Sequence, residues 1–74
     1  MLYDIYEVRH MKDDGEYVLI ERVYQPTEPM YDSYALITII KNRVSTQTKI
    51  EKDELRIVNV GQTENLGGEP PTPV

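Results

Sequence analysis

Seventy-four residues with a net charge of −5 and no cysteine make one small domain, able to bury about 60% of its unfolded surface, and they exclude disulfides and thiolate metal sites. No apolar run approaches the roughly 20 residues of a membrane span, and no basic segment precedes an apolar one at the N-terminus, so the expected setting is cytoplasmic. Binding to nucleic acid draws on clustered Lys and Arg, which argues against a general nucleic-acid binder.

Residues 2–9, Leu-Tyr-Asp-Ile-Tyr-Glu-Val-Arg, read as a first strand. Its alternation is imperfect, with Tyr3 and Ile5 on one face and Tyr6 and Val8 on the other, which predicts a bulge or bend near Ile5-Tyr6. Asp13-Asp14-Gly15 follows and signals a tight turn, because Gly accepts the positive φ that closes a hairpin. Residues 17–24 return as the second strand of an antiparallel hairpin.

Pro26 and Pro29 then fix φ and remove two backbone donors, so residues 25–33 read as an exposed loop carrying Met30 and Tyr31. Tyr34-Ala35-Leu36-Ile37-Thr38-Ile39-Ile40 is the one run in which every position is apolar, aromatic or threonine. It is rich in β-favouring residues and of strand length, which predicts a central strand covered on both faces. A competing reading places a helix at residues 33–43 and gives an α+β fold. It ranks second because Tyr34, Ile37, Ile40 and Lys41 would share its inner face poorly. Lys41-Asn42-Arg43 turns the chain, and the alternation from Val44 to Ile50 predicts a half-exposed fourth strand. Residues 51–54 are a charged break fit for one 3₁₀ turn, and Leu55 to Val60 a closing strand.

These elements predict an all-β domain over residues 1–60: a five-stranded barrel or a strongly twisted antiparallel sheet. Residues 61–74, rich in Gly and Pro with Glu64 and Glu69 as their charges, form a flexible tail expected to be disordered. The segment Ile50-Glu51-Lys52-Asp53-Glu54-Leu55-Arg56-Ile57-Val58 resembles the acidic turn leading into the last strand of SH3-like barrels. That resemblance implies a fold and no particular activity, since such barrels host many. In size, acidity and lack of cysteine the chain is also similar in type to accessory proteins of phages and other mobile elements.

No catalytic constellation emerges, and no cofactor is expected. His10 is the single histidine; a lone His flanked by acids in a turn is more often solvated than a ligand or proton shuttle. Neither Ser33 nor Ser45 lies in a nucleophile motif, and Gly67-Gly68 is followed by prolines rather than by a phosphate-binding helix. Asp13-Asp14 and Asp53-Glu54 fit turn chemistry better than acid/base pairs. The expectation is a binding protein rather than an enzyme.

Six tyrosines without Phe or Trp are the unusual compositional feature. Tyr joins an apolar ring to a polar tip, as interfaces favour, and Tyr24, Met30 and Tyr31 around the proline loop are the candidate protein-binding residues. Lys41, Arg43, Lys49 and Lys52 form a local basic edge, read either as a nucleic-acid contact or as lysine protection of an edge strand. A third expectation is a subunit of a larger assembly completed by neighbouring copies. In the C-terminal run Glu69-Pro70-Pro71-Thr72-Pro73-Val74, Pro70 and Pro73 match a bare P-x-x-P spacing.

Overall fold

Asp14-Gly15 closes a hairpin as the sequence demands. The computed structural model of the protein describes residues 1–30 and 32–70. Strand β1 (Tyr3–Met11) and strand β2 (Tyr17–Pro26) pair antiparallel. In the turn, the Lys12 N–H donates to the Glu16 carbonyl, the Gly15 N–H to the Lys12 carbonyl, and the Glu16 N–H to Asp14 Oδ1. The chain then forms helix α1 (Ser33–Thr48), a 3₁₀ turn at Lys52–Glu54, and strand β3 (Leu55–Thr63). β3 pairs antiparallel with the opposite side of β1, so the first strand is the centre of an open sheet ordered β2-β1-β3.

The expectation of a largely β, antiparallel domain is met, and so is the 3₁₀ break before the last strand. Two expected strands are corrected. Residues 34–40 and 44–50 do not pair; residues 33–48 are one helix, so the sheet has three strands and lies open where five were expected to curl. The reading ranked second, a helix near 33–43, is the one the chain adopts. Asp32 starts it: its Oδ1 accepts from the Tyr34 N–H at 2.9 Å, and its carbonyl accepts from the Leu36 N–H. Leu36, Ile40 and Val44 then recur every four residues, with Ile37 beside them, and Ile40 and Val44 are buried. Burial of that stripe outweighs the weak helix propensity of Ile, Thr and Val. Thr38 and Thr48 return their hydroxyls to the Tyr34 and Val44 carbonyls. Lys49 ends the helix in the left-handed conformation (φ 65°), its N–H donating to the Ser45 carbonyl.

Val8, Ile40, Val44 and Leu55 form the core, with Ile20, Val23, Leu36, Ile50 and Ile57 packed around it. Pairing partners share a face, and Val8–Ile57, His10–Leu55 and Tyr6–Val23 therefore line the side that α1 covers. Ile5, Glu7 and Arg9 alternate onto the other side. This explains the imperfect alternation of β1: a central strand is buried on both faces, and Ile5, Tyr6, Glu7 and Val8 are all buried. A register shift does fall at Ile5/Tyr6, where β3 inserts Val60. A second falls at Val8/Arg9, where β2 inserts Ile20.

Candidate interaction surfaces

Two surfaces stand out, one on each side of the sheet. The first is a groove of about 280 Å³ where α1 passes β2, lined by Gln25, Ala35, Leu36 and Ile39. The helix turns Leu36 inward only partly and leaves Ile39 64% exposed, with Tyr34 exposed nearby on the same helix. An apolar stripe wider than the sheet it covers produces this surplus: residues 36, 40 and 44 meet the core, while 35 and 39 overhang it.

The second surface is the sheet face away from α1. Glu7 Oε1 accepts from Arg9 Nε and Nη2 at 3.0 and 2.8 Å, and Oε2 accepts from Arg22 Nε at 3.4 Å. The bonds from Arg9, opposed by burial and reinforced by Arg22, hold the Glu7 carboxyl below its ordinary pKa. Burial works against the Arg22 charge, and the contacts with Glu7 and Glu69 outweigh it and raise the Arg22 pKa. Arg9 also stacks on Tyr17, 4.2 Å from the ring centroid. Residues 64–70 cross this face: Tyr24 Oη donates to the Gly68 carbonyl at 2.7 Å, and Arg22 Nη1 reaches Glu69 Oε2 at 3.3 Å.

The sequence-derived candidates distribute over both sides. Tyr24 lies half-buried on the second surface, its hydroxyl engaged by Gly68. Met30 is 91% exposed in the connection that leads into α1, and Tyr31 lies outside the described residues. The basic candidates sit on α1 and its exit rather than on a fourth strand. Lys41 is half-buried, Arg43 pairs with Glu21 at 3.0 Å and also donates to Gln47, Lys49 caps the helix, and Lys52 opens the 3₁₀ turn. His10 Nε2 stands 3.8 Å from Glu54 Oε2. Among the described residues no group of three metal-capable side chains occurs, and no helix is long and apolar enough to cross a membrane.

No family model matches the chain, and neither does any curated protein or solved structure. The groove residues Ala35, Leu36 and Ile39 escaped the sequence reading because a strand would have spread them over two faces. The signal that finds them is Asp32 as an N-cap, with the four-residue recurrence behind it.

Proposed function

We propose that the protein is a small binding module that occupies a surface of a partner protein and acts sterically or by competition, as an accessory or inhibitor protein of phage type would. The observation that carries this reading is the surplus apolar face of α1. Ala35, Leu36 and Ile39 line an open groove, and Tyr34, next to Ala35 at the start of the helix, is exposed. Exposed apolar side chains clustered around a concavity are what a partner's side chain buries at the centre of an interface. Met30, nearly fully exposed just before α1, extends this surface toward the proline loop, and Tyr31 is proposed with it. Tyr24 serves from the opposite face.

The nucleic-acid reading has less support. Of its four cations, Arg43 is neutralised by Glu21 and Lys41 is half-buried, and counterion release needs several unpaired cations in a row.

Tagged wild-type protein should retain a stoichiometric protein partner from its native host after nuclease and moderate salt. Ile39→Asp should lose that partner while its thermal midpoint stays unchanged, because residue 39 already faces solvent. Retention of the partner by the folded Ile39→Asp variant would refute the groove, and material released by nuclease would transfer the case to the basic residues.

A further inference from the structure

We propose that residues 64–70 are a detachable strap, and that the sheet face beneath it, framed by Ile5, Tyr24 and Arg22, is a docking surface for an extended, carboxylate-bearing peptide of a partner protein. This surface lies opposite the helix groove and stands without it.

Ile5 points away from α1, yet its exposure is zero. Its neighbours across the ladders are Tyr24 and Gly61, and Gly61 has no side chain to cover it. Residues 64–70 return over this same face, bonded to the side chains of Tyr24 and Arg22. That return is built by a specific turn: the Asn65 N–H donates to Thr63 Oγ1, the Gly68 N–H donates to the Asn65 carbonyl, and Gly67 takes φ 84°. Gly68 packs so closely that a Cβ would stand 2.6 Å from Thr63 Oγ1 and 2.9 Å from the Asn65 carbonyl oxygen.

The strap is shaped but lightly held. Its one large apolar side chain, Leu66, is 69% exposed, and its anchors are one hydroxyl–carbonyl bond and one ion pair with a solvent-facing Glu69. Segments with few buried apolar contacts open at low free energy. Opening frees a hydroxyl donor, Tyr24, and a guanidinium, Arg22, on the face that carries Ile5. Arg22 keeps Nε on Glu7 and offers Nη1 outward, the atom now taken by Glu69. A peptide able to replace the strap must present what the strap presents: a backbone carbonyl to Tyr24 and a carboxylate to Arg22. Arg9, Arg22 and Arg56 share this face by register, so a nucleic-acid strand is the competitor. The buried Glu7 carboxylate among them and the acidic chain favour the peptide.

The test uses the full chain. Gly68→Val forces a side chain into the turn, and Gly67→Val strains the same turn through φ alone, with no neighbour to clash. The probe is a labelled synthetic peptide with the sequence of residues 64–70, read by fluorescence anisotropy beside an oligothymidylate strand. Both variants should melt cooperatively and bind the peptide about tenfold more tightly than wild type, whose own strap competes. Adding Arg22→Ala should abolish the gain, and adding Ile39→Asp should leave it untouched, which separates this surface from the groove. If Gly68→Val fails to fold, Gly67→Val decides. Equal peptide binding by wild type and a folded variant overturns the proposal, as does preference for the oligonucleotide.

Discussion

Glu7 holds two arginines at once, and its burial makes that arrangement consequential. A carboxylate with 8% exposure survives as a charge because Arg9 and Arg22 supply the bonds water would have given. Glu7→Gln keeps the shape and removes the charge; it should destabilise the fold by about 2 kcal/mol at pH 7. The dependence on pH follows from the lowered pKa. The folded-state value lies below the ordinary 4.5, so the stabilisation is complete above that value and is lost as pH falls through the folded one. Melting curves of wild type and Glu7→Gln should therefore differ by a constant amount above the ordinary carboxylate range and converge in stronger acid. A gap that persists in strong acid would assign the effect to packing instead.

Helix α1 supplies two of the four core side chains and three of the four residues that line the groove, so its packing decides both stability and recognition. Ile40→Ala should cost about 3 kcal/mol and remove cooperative unfolding if the sheet cannot stand without its helix; a loss below 1 kcal/mol in denaturant titration would show that α1 packs loosely. The sheet side of the molecule was legible in the sequence because turn chemistry is local: Asp14-Gly15 announces its hairpin, and Glu51 to Glu54 announce the one-turn break. The helix was not, because Tyr34 to Ile40 satisfies both periods at once, and β-branched residues weigh toward a strand. Only burial, a tertiary quantity, resolves that run. The candidate site was half legible for the same reason. Met30 and Tyr24 lie in segments whose limits the prolines fix, whereas Leu36 joins Ala35 and Ile39 on a common face only once the helix exists. The return of residues 64–70 over the sheet escaped because Gly67-Gly68 reads as flexibility until Thr63 and Tyr24 are seen to hold it.

At the scale of the molecule, the sheet has two outer strands, and they are protected unequally. Pro26 and the inserted Ile20 interrupt β2, but Tyr17, Val18 and Leu19 remain exposed in sequence. An apolar edge of this kind is a template for pairing with another copy. Concentrated wild-type protein should therefore self-associate, and Val18→Lys should hold it monomeric in sedimentation or light scattering without lowering its thermal midpoint. A wild type that stays monomeric at high concentration would remove the edge from consideration.

The central position of β1 has one more consequence, in mechanics. Tyr3 pairs with Thr63 at one end of the β1–β3 ladder, so once the strap of residues 64–70 has lifted, the two chain ends of that ladder lie side by side. A load applied through them peels this ladder rung by rung from Tyr3–Thr63 inward rather than shearing every bond together. Such a ladder yields early to traction, and a pulling machine that grips either end meets its weakest direction first.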